Sequence, residues 1–159
     1  MIELGGRSVG QGAAPFIAAE MSGNHNHSLE RALKIVEAAA EAGAHGLKLQ
    51  TYTADTITMN ADREEFYVRS DDNPWTGSHL YQLYEQAYTP WEWHEALFAR
   101  ARELGLIPFS TPFDETAVDF LEELGTPFYK IASFENGHLP LIRKVAATGK
   151  PVRMLPIRL

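Results

Sequence analysis

Polar side chains that could do chemistry follow short apolar segments at four places in the chain. Each segment has the composition of a buried strand, and its polar residues come at the carboxyl end, where α/β folds place their reactive groups. Two lysines in such positions, with hydroxyl groups nearby, would bind a dianion such as phosphate, while carboxylates and amides would orient the hydroxyl groups of a polyol. The candidate residues are Glu20, Asn24, His25, Asn26, Lys48, Gln50, Ser110, Thr111, Asp114, Lys130, Ser133 and Glu135.

The two lysines also have a simpler explanation. A single lysine on a strand is more often half of an ion pair than part of a functional site. Lys48 alternates with Leu47 and Leu49 in a strand that we expect to be buried on both faces, so it needs either an anion or a carboxylate beside it. The presence of a second lysine and further polar groups favours an anion site.

Repeated strand–helix units must position these residues. Apolar residues recur at helical spacing between the strands, and each helical pattern ends at a glycine. Ser28 is the expected N-cap of the first helix, and Thr89 with Pro90 the expected N-cap and first-turn proline of a later one. Strands are predicted at 16–20, 45–51, 107–110 and 128–133, and helices at 29–42, 90–104, 115–124 and 140–148.

Such alternation requires a parallel sheet with right-handed crossovers, in a closed barrel or a doubly wound open sheet. No strand end carries a G-x-G-x-x-G or G-x-x-x-x-G-K-[ST] phosphate loop, which disfavours the nucleotide-binding open sheets. Polar residues at every strand end favour the barrel. We therefore predict an α/β fold, the N-terminal portion of a TIM (β/α)8 barrel with about four βα units, preceded by a small hairpin within residues 1–12.

Residues 53–89 interrupt this regular pattern. Charged residues alternate there with many aromatic ones, so the segment is too aromatic to be disordered. A long ordered excursion at the carboxyl end of a strand is typical of a lid or a substrate-binding loop. A structural cap or a partner-binding surface is an equally weighted alternative.

Composition excludes some partners and ligands. A formal net charge of -7 disfavours nucleic acid and anionic membranes, because both favour a basic face. The chain has no cysteine, so a metal ligand could only be histidine, aspartate or glutamate. The N-terminus lacks the pattern of a secretory signal, and no apolar run approaches the roughly 20 residues of a membrane span. These features predict a cytoplasmic protein.

Five motifs in this chain stand out: EMSGNHN at 20–26, AGAHGLKLQTYTADT at 42–56, YTPWEWH at 88–94, FSTPFDETAVDFLEELG at 109–125 and YKIASFEN at 129–136. They closely resemble the sialic acid synthase family, and most closely its pseudaminic acid synthase branch, over residues 13 to about 152. In relatives that make N-acetylneuraminate or legionaminate the fourth strand resembles KIGSGE, whereas KIASFE here is similar to the pseudaminate enzymes.

The resemblance implies a condensation of phosphoenolpyruvate with an amino-sugar aldehyde of the 2,4-diacetamido-2,4,6-trideoxy-altrose type, giving pseudaminic acid and phosphate. Synthesis of N-acetylneuraminate or legionaminate is the alternative. Lys48 and Lys130, with hydroxyl donors beside them, would bind the anionic groups of phosphoenolpyruvate. The implied catalytic residues are Glu20, Lys48, Lys130 and Glu135, and the implied substrate-binding residues are Asn24, His25, Gln50, Thr111 and Ser133.

The resemblance also implies a cofactor and an assembly. Family members use a divalent metal, Mn²⁺ or Mg²⁺, which polarises the aldehyde, and they form homodimers. Their histidine metal ligands come from later strands of the barrel. We therefore predict no metal ligand within this chain, and no metal bound by it alone.

The length of the chain departs from the family pattern. Its 159 residues are fewer than the roughly 250 of a complete barrel. We divide it into a partial barrel domain at 1–152 and a tail at 153–159 that does not match the family, with the family's antifreeze-like C-terminal domain absent. In that tail Arg153, Pro156 and Arg158 are expected to break the fifth strand.

These features imply a truncated or frameshifted half barrel. We expect it to be inactive, because catalytic residues act as a unit and the loss of some of them removes nearly all of the rate. Two other functions stay open. One is an aldolase that forms a Schiff base on Lys48 or Lys130. The other is a non-catalytic remnant or an association module that pairs through its open sheet edges.

Overall fold

Parallel strands and the helices between them make up most of the structure, a computed structural model that describes residues 1–69 and 72–154. The strands of the main sheet lie in the order β3-β4-β5-β6-β7, and β1 and β2 form a separate antiparallel hairpin. The strands are β1 (Ile2–Leu4), β2 (Arg7–Val9), β3 (Ala18–Glu20), β4 (Gly46–Thr51), β5 (Ile107–Pro112), β6 (Tyr129–Ile131) and β7 (Val152–Met154). The helices are α1 (Leu29–Glu41), α2 (Ala54–Ile57), α3 (Leu80–Ala87), α4 (His94–Glu103), α5 (Glu115–Glu123) and α6 (Leu139–Ala147).

Each strand of the main sheet pairs in parallel with the next strand along the chain. A sheet that grows in one direction, one strand per connection, has the order of a barrel wall, whereas a doubly wound sheet reverses its direction. The predicted α/β class and the barrel type of topology are confirmed.

The helices cover one face of this sheet with apolar side chains. Leu47 and Leu49 of β4 and Ile131 of β6 are fully buried there against residues such as Val36 of α1 and Leu97 of α4. Side chains alternate along a strand, so the residues between these leucines point to the opposite face. That inner face carries the candidate site.

An aromatic cluster closes the amino-terminal end of the inner face. The rings of Phe109 and Phe128 lie 4.2 Å apart, and Phe16 contacts both edge-on. Gly46 lies directly beneath, because a Cβ atom there would come within 2.7 Å of the Phe16 ring. Polar groups are thereby confined to the carboxyl end of the strands.

Local signals set most helix boundaries as predicted. The Ser28 side chain accepts a hydrogen bond from the backbone N–H of Arg31 and caps α1. Gly43, just past α1, has a φ of 78°, a left-handed conformation that glycine adopts without a steric cost. Asp114, one of the strand-end candidates, is instead the N-cap of α5, because its carboxylate accepts from the backbone N–H groups of Thr116 and Ala117.

Several predicted boundaries were wrong. The helix expected from Pro90 starts with a 3-10 turn at Trp91–Trp93 and becomes α-helical only at His94. Strand β5 extends beyond residue 110 to Pro112, and β6 is shorter than predicted. Val152–Met154 pairs with β6 as a fifth strand, although Arg153 had been expected to break it. Pro156 and Arg158 lie outside the described residues.

The aromatic excursion is ordered where it is described. It contains α2, a 3-10 turn at Glu64–Phe66 and α3. Tyr52, at the end of β4, packs edge-on against Tyr84 of α3 and Phe113. These contacts hold α3 beside the carboxyl end of the sheet.

Candidate active site

Lys48 lies on the inner face of β4 and is 4% exposed. It pairs across the sheet with Glu20 of β3, and its ammonium nitrogen is 2.5 Å from a carboxylate oxygen of that residue. The contact is an ion pair without the angles of a well-formed hydrogen bond, so the ammonium still has donors to offer. Burial lowers the pKa of Lys48, Glu20 opposes that shift, and the charges of Lys130 and Arg153 add to it.

Neighbouring strands continue this polar surface in register. Gln50 of β4 lies opposite Thr111 of β5. Ser110 lies opposite Tyr129, which places the next residues, Thr111 and Lys130, side by side on the inner face. The structure therefore brings together Glu20, Lys48, Gln50, Thr111 and Lys130, all of which the sequence had identified as strand-end candidates.

Thr111 is the most informative member of this set. Its side chain is 1% exposed, and its hydroxyl oxygen has no hydrogen-bond partner among the described residues. A buried hydroxyl without a partner costs free energy, and proteins keep few of them. A ligand oxygen beside Lys130 would give this hydroxyl its partner.

A cleft of about 420 Å³ borders this surface on the side of β3 and β4. Ser22 donates a hydrogen bond to the Gln50 side-chain oxygen at 3.0 Å on one wall. Helix α3 and Trp75, from the excursion, form the other wall. A cleft with amide and hydroxyl groups on one side and aromatic rings on the other suits a polar ring compound.

Asn24, Ser133 and Glu135 lie in the segments that follow strands β3 and β6. Asn24 is exposed and lines the cleft, with its amide N–H donating to the Met21 carbonyl at 2.9 Å. Ser133 is exposed at the start of a 3-10 turn after β6. The carboxylate of Glu135 lies 3.1 Å from the Nδ1 atom of His138. Their proposed roles stay predictions.

His25 has a different place from the one expected. Its ring is fully buried. Nδ1 accepts from the backbone N–H of His27 at 3.2 Å, so Nε2–H donates to the Thr89 hydroxyl at 3.1 Å. With both ring nitrogens occupied, His25 holds its loop against Thr89.

Ser110, proposed with the strand-end groups, faces the helices. Its hydroxyl lies 2.7 Å from that of Thr51, and Thr51 lies 3.0 Å from Nε2 of His94. The Nδ1 atom of His94 lies 3.2 Å from the Pro90 carbonyl and donates to it, so Nε2 accepts from Thr51. Burial lowers the pKa of His94 to about 4, and the ring is neutral. Strand alternation with Thr111 could have revealed this orientation.

The described residues do not fit a metal ion. Within residues 1–69 and 72–154 there is no group of three or more His, Asp or Glu side chains that could hold one. Glu135 and His138 make a pair, which is too few ligands for a divalent cation. The same part of the chain has no helix long and apolar enough to span a bilayer.

Comparison with known proteins decides the family. The sequence profile of the NeuB family matches residues 35–155, well over half of the chain. The chain belongs to the NeuB family. The match extends beyond the boundary at residue 152 that sequence motifs had suggested, in agreement with strand β7. The division into a barrel part and a tail stays a prediction.

Two curated relatives are similar to this chain in sequence, and one solved structure is similar to it in fold. The chain is 46% identical over 136 residues to the pseudaminic acid synthase of Campylobacter jejuni, covering 86% of this chain and 39% of that one. It is 33% identical over 138 residues to the N,N'-diacetyllegionaminic acid synthase of the same organism, with 86% and 40% coverage. The crystal structure of an N-acetylneuraminic acid synthetase from Leptospira borgpetersenii matches with a TM-score of 0.80 at 27% identity, over 96% of this chain and 48% of that one. The chain thus spans less than half the length of these relatives.

Proposed function

We propose that this chain carries the phosphoenolpyruvate-binding part of a nonulosonic acid synthase of the pseudaminic acid type. The single observation that supports this most is the arrangement of Lys48, Thr111 and Lys130 on one face of neighbouring strands, with the buried Thr111 hydroxyl lacking a partner among the described residues. Phosphoenolpyruvate has a carboxylate and a phosphate, and both need cations and hydrogen-bond donors.

Each inner-face group has a distinct task in this proposal. Lys130 binds an anionic group as a point charge, and the Thr111 hydroxyl donates a hydrogen bond to the same group. Lys48, 2.5 Å from the Glu20 carboxylate, contributes a second positive charge from the adjacent strand. Glu20 and Gln50, at the cleft side, orient the amino sugar.

The cleft is the proposed place for that sugar. Ser22, Gln50 and Asn24 offer hydrogen-bonding groups that suit acetamido and hydroxyl substituents, and Tyr84 and Trp75 offer flat apolar surfaces. The higher identity to a pseudaminic than to a legionaminic acid synthase supports a sugar of the 2,4-diacetamido-2,4,6-trideoxy-altrose type. The KIASFE sequence of 130–135 supports it too.

The proposed reaction forms one carbon–carbon bond. The methylene carbon of phosphoenolpyruvate attacks the aldehyde carbon, whose oxygen takes up a proton. Water then adds to the oxocarbenium-like carbon, and phosphate leaves to give the 2-keto acid. We propose that the present chain binds phosphoenolpyruvate without turnover, because it spans only part of the relatives and a catalytic group acts as a unit.

Titration calorimetry of the purified chain at low salt tests the binding step. We expect phosphoenolpyruvate to bind at about millimolar Kd, some 4 kcal/mol, with no enhancement by Mn²⁺. Lys130→Ala should remove measurable binding, since truncating one partner of a buried charge contact costs about 2–5 kcal/mol. Lys34→Ala is the control, because Lys34 pairs with Glu30 on the exposed side of α1. Unchanged binding in Lys130→Ala would remove that residue from the site.

One observation favours a second candidate function. Burial lowers the pKa of Lys48, which increases the fraction of neutral amine that could form a Schiff base with a keto acid. Reduction with borohydride in the presence of pyruvate would then add a stable mass to the chain. The synthase proposal predicts no such adduct in the wild-type chain. An adduct that is lost in Lys48→Arg would replace it with the aldolase.

A further inference from the structure

Strand β7 places a second cation beside Lys130. The register of β6 and β7 sets Lys130 directly opposite Arg153. Because Thr111 lies beside Lys130 and Gln50 lies opposite Thr111, four side chains form one continuous row across four strands. Adjacent strands are about 4.8 Å apart, so Arg153 is one strand from Lys130 and about two from Thr111.

The cations of this row outnumber the carboxylates beside them. Glu20 is paired with Lys48, and the Glu135 carboxylate contacts His138. No carboxylate of residues 1–69 or 72–154 forms an ion pair with Lys130 or Arg153. Both cations act electrostatically on Lys48, which shows that the three charges share one neighbourhood. Among the described residues, Lys48 has a carboxylate partner and the neighbouring Lys130 and Arg153 have none, which favours an anionic ligand beside them.

We propose that Arg153 is an anion-binding residue that contacts the second anionic group of a ligand held by Thr111 and Lys130. The ligand class is a small compound with two anionic groups, a phosphate and a carboxylate. This inference rests on the proposed function, in which Thr111 and Lys130 bind the first group. It adds a residue on a strand whose formation the sequence had not predicted.

The chemistry of arginine supports this role. Its guanidinium is permanently charged and offers a planar fork of donors, which matches a carboxylate or a phosphate in two parallel hydrogen bonds. An exposed position at the sheet edge lets the long side chain reach over the row without the cost of burial. Neither a lysine nor a glutamine at this position can make the same bidentate contact.

An alternative role for Arg153 is to protect an open sheet edge. Charged residues on outer strands discourage other chains from pairing there. In that role Arg153 would raise the affinity for any anion only through its positive charge, without a direct contact. The two roles predict different losses of affinity when Arg153 is replaced. A direct contact affects mainly a ligand with two anionic groups, whereas a charge effect lowers the affinity for both kinds of anion equally.

Calorimetry with two probes, inorganic phosphate and phosphoenolpyruvate, separates the roles. Arg153→Gln and Arg153→Lys are compared with Arg143→Gln, an exposed arginine on α6. We expect Arg153→Gln to weaken phosphoenolpyruvate about tenfold, about 1.4 kcal/mol, and inorganic phosphate about twofold or less. Arg153→Lys should recover part of the affinity, and Arg143→Gln should bind as the wild type does. Circular dichroism and melting midpoints of all variants show whether the fold is retained.

Three results would count against the inference. An equal loss of affinity for both anions in Arg153→Gln would mean that Arg153 acts only through its charge and does not contact the ligand. Unchanged binding in Arg153→Gln, with binding lost in Lys130→Ala, would overturn the role of Arg153 and leave the proposed function standing. Unchanged binding in both variants would overturn the inference and the proposed anion site together.

Discussion

At the scale of single residues, the inner face is set up by side chains that cost folding free energy. Thr111 buries a hydroxyl without a partner among the described residues, and Lys48 buries a charge with only one carboxylate beside it. By contrast, the buried groups of the helix-facing side, such as Thr51 and His94, have hydrogen-bond partners. Unsatisfied groups concentrated on one face identify it as the face that meets a ligand.

Thr111→Val is therefore expected to separate binding from stability. The folded chain loses no hydrogen bond, so the free energy of unfolding should stay the same or rise. Phosphoenolpyruvate affinity should fall about fivefold, about 1 kcal/mol, the value of one hydrogen bond. Urea unfolding followed by tryptophan fluorescence, together with calorimetry, measures both quantities.

Thr51→Val is the matched control for that substitution. Thr51 contacts both Ser110 and His94, and its removal leaves the Nε2 atom of His94 buried without a donor. We expect a loss of about 1–3 kcal/mol in unfolding free energy. Equal stability losses in the two valine variants would mean that Thr111 has a structural partner.

His94 makes stability depend on pH. Burial lowers the pKa of His94 to about 4, from an ordinary value of 6.5. Between these values the unfolded chain binds a proton that the folded chain does not, so the contribution of His94 is complete above pH 6.5 and falls as the pH drops toward 4. The expected loss is roughly 3 kcal/mol, since one pKa unit corresponds to about 1.4 kcal/mol.

Unfolding in urea across this pH range tests the assignment. His94→Gln should flatten the dependence of unfolding free energy on pH, because the amide can keep both hydrogen bonds and does not titrate. His138→Gln is the control, since His138 is partly exposed beside Glu135. A slope unchanged by His94→Gln would contradict the neutral, buried state of this ring.

At the scale of elements, the loop after β3 and helix α3 fit closely against each other. A Cβ atom on Gly23 would lie 3.0 Å from the carbonyl oxygen of Ala87 and 3.2 Å from its Cβ atom. Such distances are too short for an ordinary contact, so only glycine allows α3 to approach this loop so closely. The approach forms the cleft, and it supports the interpretation of residues 53–89 as a lid.

Gly23→Ala should consequently displace α3 and open the cleft. We expect weaker protection from proteolysis within residues 53–89 and altered tryptophan fluorescence from Trp75, with phosphoenolpyruvate binding unchanged. Gly137→Ala is the control, because a Cβ atom there would meet nothing within 4 Å. If both variants show the same cleavage pattern as the wild type, the contact between Gly23 and Ala87 does not hold the lid.

At the scale of the whole molecule, the outer strands of the sheet are open. Among the described strands, β3 and β7 each pair on one side only. Val152 and Met154 of β7 are 37% and 45% exposed, so an apolar strip borders one of these edges. Open edges with apolar side chains promote pairing with another chain.

We therefore expect the purified chain to self-associate at micromolar concentration. Val152→Lys should reduce this association, because a charge on an edge strand opposes strand pairing. Met59→Lys, at an exposed apolar position outside the strands, is the control. Light scattering after size-exclusion chromatography measures the mass. A monodisperse, cooperatively melting monomer would contradict this expectation.

Much of the fold was determined by short-range patterns in the sequence. The helical spacing, the cap at Ser28 and the glycine stops act within a few residues, so they identify the elements without knowledge of their neighbours. Strand alternation assigned Lys48 and Gln50 to one face, and the same alternation separates Thr111 from Ser110. The family motifs lie on these same elements.

Only the tertiary structure decided which groups meet. The burial of His25 depends on Thr89, which is 64 residues away in the sequence. The cleft depends on α3 approaching Gly23, and the place of Arg153 depends on β7 pairing with β6 in one register rather than breaking. These outcomes follow from contacts between segments that are distant in the sequence. Packing and strand register set the geometry of such contacts, and the local periodicity of the sequence does not reveal it.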